Sequence, residues 1–157
     1  MLIPAYRLTK SKYAATAFDG ESARRFGGRW NSIGTAIVYT AESRSLAAVE
    51  LMVHLEAPAR GFVIIGCTFD EQLIEVLPEP LIDGWDDPQA PTLLATVGDD
   101  WVKRNSSAVL RVPSVTIKGE FNYLLNPRHP DFNQISIDQP RPFPFDQRII
   151  DLVEKSR

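Results

Sequence analysis

The sequence predicts an α+β fold in which most strands pair antiparallel. Strand-like and helix-like segments are mixed along the chain, but strand–helix–strand alternations are too few for a doubly wound parallel sheet. The apolar run at residues 62–69 has the length and the β-forming side chains of a buried strand. With 157 residues, 44% of them hydrophobic and 24% charged, the chain suits a single globular domain with one core.

The amino-terminal region predicts two strands separated by a polar segment. Residues 3–8 alternate enough in polarity to form a first strand, which carries Arg7. The segment from 9 to 31 is polar, and its glycines interrupt regular structure. Residues 36–40 are rich in β-forming side chains and predict the second strand.

A helix is predicted between a serine cap, at Ser43 or Ser45, and Pro58. Glu50 lies on this helix, and the side chains three and four positions away from it are mostly apolar. A charged group on such a face costs roughly several kcal/mol unless it is paired or has a task. Glu50 therefore has either a structural ion pair with a buried arginine or a function.

The rest of the chain predicts further strands, a second helix and a proline-rich end. The segment 78–91 contains four prolines and is expected to be an irregular surface loop. The second helix is expected to begin at Pro91 and to end near Asn105. Further strands are expected at 62–69, 73–77, 107–112 and, after a bend at Pro113, 115–117, with shorter elements at 122–125, 134–137 and 143–145.

Composition argues against several classes of protein. The net charge of -3 and the pI near 5.4 do not suit a general nucleic-acid binder. Residues 1–10 lack the long apolar stretch of a secretory signal, and no segment approaches the roughly 18 uninterrupted apolar residues of a membrane span, so neither is expected. The single cysteine, Cys67, allows no internal disulfide and fits a cytoplasmic protein.

Sequence motifs exclude several familiar sites. The chain has no GxGxxG or GxxxxGK[ST] loop for nucleotide phosphates, and it has no GxSxG elbow for a serine nucleophile. His54 follows Glu50 by four residues, but the only other histidine is His129. A metal site is therefore not expected.

Several polar residues lie at the ends of predicted elements, and each has two interpretations. Arg29 follows two glycines, so its guanidinium can bind phosphate oxygens or pair with Glu50. Tyr39 can stack on a flat heterocycle or fill the core. Ser107 at a strand start is typical of a capping or turn residue, and Asn122 and Asn126 are typical of turns.

Five short motifs occur in one order along the chain. They are Gly-Gly-Arg-Trp-Asn at 27–31, Val-Tyr-Thr at 38–40, Ala-Ala-Val-Glu at 47–50, Ser-Ala-Val-Leu-Arg-Val-Pro-Ser at 107–114 and Asn-Tyr-Leu-Leu-Asn-Pro-Arg-His-Pro at 122–130. The set resembles the RES domain, the toxin half of bacterial RES-Xre toxin-antitoxin pairs. The resemblance extends from about residue 6 to residue 138 and leaves a proline-rich tail at 139–157.

The resemblance implies an ADP-ribosyltransferase-like fold, with a mixed, mainly antiparallel split sheet and flanking helices. It also implies that NAD+ is a substrate, with no separate cofactor. Carried over by motif, the catalytic residues are Glu50, Arg29 and Ser107, and Ser114 competes with Ser107 because both flank one strand. Three further residues match substrate-binding positions: Arg7, Tyr39 and Asn126.

The leading functional hypothesis is a toxin that cleaves the nicotinamide-ribose bond of NAD+, with water or phosphate as the acceptor, and so arrests growth. Transfer of ADP-ribose to a specific protein is one alternative, and a non-catalytic nucleotide-binding module is another. The resemblance further implies an Xre-like helix-turn-helix antitoxin and a toxin homodimer within the complex. Segment 140–145 is expected to dock on the protein's own body or on the antitoxin.

Overall fold

The computed structural model describes residues 1–55, 58–78, 81, 83–88 and 93–156. Its helices are α1 (Glu21–Phe26), α2 (Arg44–Met52), α3 (Ala95–Arg104) and α4 (Gln147–Lys155). Its strands are β1 (Leu2–Lys10), β2 (Val38–Ala41), β3 (Phe62–Asp70), β4 (Ile74–Val76), β5 (Val109–Pro113), β6 (Phe121–Leu125), β7 (Ser136–Ile137) and β8 (Arg141–Pro142). Short 3-10 segments lie at Ser11–Thr16, Glu71–Leu73 and Pro130–Gln134.

The described strands form one sheet in the order β4-β5-β6-β2-β1-β3-β7, with β8 also paired to β3. The β4–β5 pair is parallel, and the other pairs are antiparallel. Together with the helices, this arrangement confirms the predicted α+β class with mainly antiparallel pairing. No described helix has the length and apolar character needed to cross a membrane.

The sheet is split between β1 and β2. Strands β1 and β3 pair along their whole length, from Leu2 opposite Asp70 to Lys10 opposite Phe62. Strands β1 and β2, by contrast, meet at the single pair Tyr6 and Ala41. Away from this pair, the backbone N–H and C=O groups of β1 and β2 that face each other are therefore not joined in a continuous ladder of hydrogen bonds.

Helix α2 forms because its sequence combines a good cap with one apolar side. The Ser43 hydroxyl accepts a hydrogen bond from the backbone N–H of Leu46, at 3.1 Å, so Ser43 is the cap. Leu46 and Ala47 are buried against β1 and β2, in a cluster that also contains Leu8 and Ala41. This packing fixes the helix over the junction of the sheet.

Two sequence-based expectations about the elements are wrong. Residues 115–117 form a bend, because the Ser114 hydroxyl accepts the backbone N–H groups of Thr116 and Ile117 and curls the chain. Residues 143–145 form no regular element, and the tail instead ends in helix α4. Residues 21–26, which the glycine breakers enclose, form helix α1.

The tail packs on the body of the protein. Phe145 is buried and contacts Phe62 edge to face, with ring centroids 5.9 Å apart. Asp146 caps α4 by accepting the backbone N–H of Arg148, and Ile150 buries the apolar side of the helix. The predicted second helix begins at Ala95, and Pro91 lies outside the described residues.

Candidate active site

The Gly-Gly-Arg-Trp-Asn motif folds into a tight turn that presents Arg29. Gly28 and Asn31 exchange backbone hydrogen bonds of 3.0 and 3.4 Å, which places Arg29 and Trp30 at the tip. Trp30 is buried in the core cluster beneath the turn, whereas Arg29 is partly exposed. The buried Trp30 side chain therefore anchors the turn, and the Arg29 side chain projects from it.

Tyr39 on β2 holds this turn in place. Its hydroxyl donates to Oδ1 of Asn31 at 2.6 Å and accepts the backbone N–H of Trp30 at 3.1 Å. A Cβ added to Gly28 would lie 2.7 Å from the Tyr39 hydroxyl, so only glycine allows this close approach. Burial raises the pKa of the Tyr39 phenol above its usual range, which keeps it protonated as a donor.

Asn31 completes the anchor, since its side-chain amide donates to the carbonyls of Ala23, Ser32 and Thr35 at 2.8, 3.1 and 3.0 Å. Asn31 is 1% exposed, so these bonds satisfy a group that would otherwise be costly to bury. The Arg29 turn is thereby rigid, as a site that orients a ligand requires.

Arg7 lies at the split in the sheet. Its Nη1 donates to the carbonyl of Tyr39 at 3.1 Å, on the side of β2 where β1 has diverged. Its Nε is buried and has no hydrogen-bond partner among the described residues. Burial lowers the pKa of the Arg7 guanidinium, an effect that the charge of Asp19 opposes, but an arginine stays protonated.

Neither Arg7 nor Arg29 takes part in any ion pair within the described part of the chain. Arg29 instead donates to the carbonyl of Trp85 at 3.5 Å. The possible Arg29–Glu50 ion pair is therefore not formed. Among the described residues no carboxylate lies within ion-pair distance of either guanidinium, although the charge of Asp19 acts on Arg7 and that of Asp86 on Arg29 from farther away. Two partly buried guanidinium groups of this kind can bind an anion.

Glu50 projects from α2 toward the hairpin formed by β5 and β6 and accepts hydrogen bonds from three side chains of that hairpin. Ser114 Oγ and Asn122 Nδ2 donate to Oε1 at 2.6 and 2.9 Å, and Thr116 Oγ1 donates to Oε2 at 3.1 Å. Glu50 is half-buried. These donors explain why a carboxylate is tolerated on the apolar side of the helix.

The Glu50 cluster and the Tyr39 cluster lie on the same face of the sheet. Tyr39 is opposite Leu124 in the β2–β6 ladder, and Ala41 is opposite Asn122. Tyr39 and Asn122 are thus diagonal neighbours, a relation in which Cα atoms are roughly 7–8 Å apart. Tyr39 holds the Arg29 turn, and its carbonyl accepts a hydrogen bond from Arg7. Asn122, its diagonal neighbour, donates to Glu50. These contacts on either side of β2 define the candidate site.

The segment around Trp85 forms one wall near this site. Trp85 packs on the core cluster that includes Trp30, and its carbonyl accepts the Arg29 hydrogen bond. The next residue, Asp86, pairs with Lys118 of the β5–β6 turn at 3.1 Å. The pKa of Asp86 is held below its usual value, chiefly by the hydrogen bond from Lys118 and further by the charges of Lys118 and Arg29.

Ser107, the serine that the resemblance implies as catalytic, lies at the other end of β5. Its hydroxyl accepts from Trp101 Nε1 at 2.8 Å, and its single proton has two acceptors within reach, Glu75 at 3.2 Å and the carbonyl of Val109 at 3.0 Å. Ser107 does not contact Glu50, because seven extended residues, about 23 Å, separate it from the end of the strand that does. The competing residue, Ser114, occupies that place.

Asn126 likewise lies away from Glu50, at the far end of β6. It is buried, its amide donates to Oδ1 of Asn105 at 3.1 Å, and its own Oδ1 accepts the backbone N–H of Arg128. Both contacts stabilise the local turn, which the sequence left open as an interpretation. Asn122 supplies the amide at the site.

Thr116 was not singled out from the sequence, and Asn122 was assigned to a turn. Ser114 follows a strand and precedes a polar turn, a pattern typical of a serine that accepts backbone N–H groups two and three positions later. This local pattern could have identified Ser114 from the sequence.

His54 is exposed, and no group of three or more possible metal-binding side chains occurs within the described ranges.

Comparison with known proteins was made at the level of family, sequence and fold. The model of the RES domain matches residues 4–146. "Toxin Res" of Yersinia enterocolitica serotype O:8 / biotype 1B is 36% identical over 148 residues, which cover 92% of this chain and 97% of the relative. "Prs ADP-ribosylating toxin" of Sphingobium sp. strain YBL2 is 38% identical over 144 residues, which cover 88% and 89% of the two chains.

A solved structure shows the same fold. One chain of the crystal structure of the M. tuberculosis MbcT-MbcA toxin-antitoxin complex aligns with a TM-score of 0.74 and 18% sequence identity. The alignment covers 99% of this chain and 88% of that chain.

Proposed function

The chain belongs to the RES domain family and is a toxin of the RES type, and on that premise we propose that it acts by cleaving the nicotinamide-ribose bond of NAD+. The observation that carries the proposal is a firmly held carboxylate, Glu50, together with two guanidinium groups, Arg7 and Arg29, that form no ion pair with any described residue. A dinucleotide with a sugar that becomes cationic and a diphosphate that is anionic is complementary to this charge pattern.

In the proposed reaction the bond between ribose C1′ and the nicotinamide nitrogen breaks, and its electron pair returns to the ring, which leaves as neutral nicotinamide. The ribose passes through a state with oxocarbenium character, as in glycoside hydrolysis. Water or phosphate then forms the new bond at C1′, and water gives up a proton. The products are ADP-ribose or its 1″-phosphate, and nicotinamide.

Glu50 is the catalytic residue in this scheme. Its carboxylate accepts hydrogen bonds from Ser114, Thr116 and Asn122, which hold it in one place before the reaction begins. A fixed negative charge near the sugar stabilises the developing positive charge more than it stabilises the ground state, and that difference accelerates the reaction.

Arg7 and Arg29 bind the diphosphate in the proposal. The buried Nε–H of Arg7 has no partner among the described residues, and Arg29 is presented by a rigid turn. Guanidinium groups make charge-assisted hydrogen bonds with phosphate oxygens and so fix the dinucleotide relative to Glu50. Tyr39 packs beside the nicotinamide through its ring, because its hydroxyl already bonds Asn31 and Trp30.

Transfer of ADP-ribose to a protein is the second candidate function. The observation in its favour is the Sphingobium relative, whose name is "Prs ADP-ribosylating toxin". The same cation forms in both reactions, and the activities differ only in the nucleophile that captures it. The chemistry assigned to Glu50 and the arginines is unchanged between them.

The chain is also proposed to bind an antitoxin. The support is the fold shared with a chain from a toxin-antitoxin complex. An Xre-like helix-turn-helix protein that covers the cleft, and a toxin homodimer within the complex, extend this proposal.

Incubation of the purified protein with NAD+ alone tests the function. Release of nicotinamide together with free ADP-ribose supports hydrolysis, and formation of a phosphorylated ADP-ribose only when phosphate is present supports phosphorolysis. A parallel reaction uses NAD+ labelled in its ADP-ribose part. If this NAD+ stays intact until a cell extract is added, and the label then appears on one protein, the result supports transfer. Intact NAD+ under all of these conditions contradicts the proposal.

A further inference from the structure

The β5–β6 hairpin supplies every side-chain hydrogen bond that the described structure gives to Glu50. We propose that Thr116 and Asn122 are positioning residues for Glu50 and that, together with Ser114, they leave one acceptor position, on Oε2, for the substrate. This inference rests on the proposed cleavage of NAD+, and it gives roles to two residues, Thr116 and Asn122, that the sequence analysis did not place in the site.

The free position follows from counting lone pairs. An ionised carboxylate offers two acceptor positions on each oxygen. On Glu50, Oε1 accepts from Ser114 at 2.6 Å and from Asn122 at 2.9 Å, so both of its positions are occupied. Oε2 accepts from Thr116 at 3.1 Å and retains one position. One sugar hydroxyl can therefore bond Glu50 without displacing a protein group.

The direction of the Ser114 hydroxyl is fixed by its own backbone. Ser114 is 1% exposed, and its Oγ accepts the backbone N–H groups of Thr116 at 3.1 Å and Ile117 at 3.0 Å. A hydroxyl has two acceptor lone pairs and one proton. With both lone pairs used, the proton has Glu50 Oε1 as its acceptor.

The side-chain amide of Asn122 is oriented toward Glu50 at a cost to the stability of the fold. Its Nδ2 donates to Glu50, but its Oδ1 is buried and has no hydrogen-bond partner among the described residues. Reversing the amide would place Oδ1 against the carboxylate, which repels it. A buried acceptor without a partner is destabilising and needs an explanation. Orientation of Glu50 provides one.

Thr116 reaches Glu50 because the chain bends after β5. Residues 115–117 form a bend in place of the expected strand, and the bend turns the Thr116 hydroxyl toward α2. Thr116 is half-buried, and its hydroxyl bond to Glu50 joins the bend to the helix. Loss of this one hydroxyl would leave Oε2 without a fixed direction.

The test uses nearly isosteric variants that remove one hydrogen bond each, Thr116→Val and Asn122→Leu. Thr16→Val and Asn133→Leu are matched controls, since both residues are exposed and lie in other elements. The full-length variants are compared with wild type for kcat and KM with NAD+ and for thermal unfolding. Glu50→Gln is included as the variant that lacks the catalytic charge.

We expect kcat to fall about 10- to 100-fold in each of Thr116→Val and Asn122→Leu, the effect of one hydrogen bond to a charged group. KM should stay nearly unchanged, because positioning acts on the transition state. The melting temperature of Asn122→Leu should change little, because removal of the unpartnered buried Oδ1 offsets the lost hydrogen bond to Glu50. Thr116→Ser restores the hydroxyl and should recover most of the turnover.

The outcomes separate this inference from the function on which it rests. If wild type leaves NAD+ intact in buffer, with phosphate and with cell extract, the proposed function fails, and the positioning roles fail with it. If Glu50→Gln is inactive while Thr116→Val and Asn122→Leu turn over like wild type, the positioning roles are wrong and the function stands. Loss of kcat in step with loss of folded protein, without rescue by Thr116→Ser, also overturns the inference.

Discussion

Ser114 and Glu50 are 64 residues apart in the sequence, and a 2.6 Å hydrogen bond joins the hydroxyl of the first to the carboxylate of the second. The bond connects the end of β5 to helix α2 across the top of β2 and β6. It also identifies which serine of the 107–114 motif lies at the candidate site.

Replacement of Ser114 by alanine should reduce turnover about 10- to 100-fold, because a hydrogen bond to the charged Glu50 is lost. Ser107→Ala is the matched variant at the other end of the strand, where the hydroxyl bonds Trp101 and Glu75. Steady-state rates of nicotinamide release compare the two. Equal loss in both variants, or loss in Ser107→Ala alone, would restore Ser107 as the site serine.

Arg7→Met should weaken NAD+ binding about 10- to 100-fold while leaving the melting temperature unchanged or raised. The variant removes a partly buried guanidinium whose Nε has no partner, and which forms no ion pair, in the part of the chain that the structure describes, so little stability is lost with it. Arg148→Met, at an exposed position in α4, is the control. Isothermal titration and thermal unfolding give the two quantities, and unaltered affinity in Arg7→Met would remove this residue from the diphosphate site.

Gly98→Ala should destabilise the fold strongly, although alanine is normally favoured over glycine in a helix by about 1 kcal/mol. A Cβ at position 98 would lie 1.7 Å from the carbonyl oxygen of Trp30, and backbone cannot move aside cheaply. We expect a loss of about 3 kcal/mol or more in the free energy of unfolding.

Gly66→Ala is the matched control for this prediction. Its Cβ would meet only Oδ2 of Asp138, the end of an exposed side chain that can rotate away, at 2.7 Å. We expect a change below about 1 kcal/mol. Chemical denaturation of both variants checks the contrast, and similar losses would show that the contact between α3 and the Arg29 turn is not tight.

Stability should fall as the pH rises above the ordinary pKa of a thiol. Burial, aided by Asp138, raises the pKa of Cys67 from 9.0 to about 12. Between these values the folded protein keeps a proton that the unfolded chain releases, so each pH unit costs up to about 1.4 kcal/mol. Denaturation at about pH 8 and about pH 10 should give a steeper decline for wild type than for Cys67→Ala. Parallel declines would contradict the shift.

Local sequence patterns predicted most of the regular elements. The apolar run at 62–69 became β3, and the serine cap before the Glu50 helix was found at Ser43. Helix α4 was missed because it follows a proline-rich segment, although Asp146 caps it and Ile150 anchors it. The strand expected at 115–117 failed because the Ser114 side chain competes with the sheet for its backbone N–H groups.

The site was harder to predict than the elements. Each strand of the β5–β6 hairpin has a serine or an asparagine at both ends, so local patterns alone do not distinguish the two ends of the ladder. The candidate site lies at the end of the hairpin that α2 covers. The position of α2 is set by the packing of Leu46 and Ala47, which are far from the hairpin in sequence. The predicted site residues Ser107 and Asn126 lie together at one end of the hairpin, but this is the end that α2 does not cover.

The charge of Glu50 is proposed to drive cleavage of NAD+, and a direct comparison of wild type with Glu50→Gln measures its effect. Glutamine keeps the size of the side chain and removes the charge. We expect NAD+ to bind Glu50→Gln with similar affinity by titration, while nicotinamide release falls by about 10² to 10³, as for other lost electrostatic groups. Turnover equal to wild type in a folded Glu50→Gln protein would contradict the account.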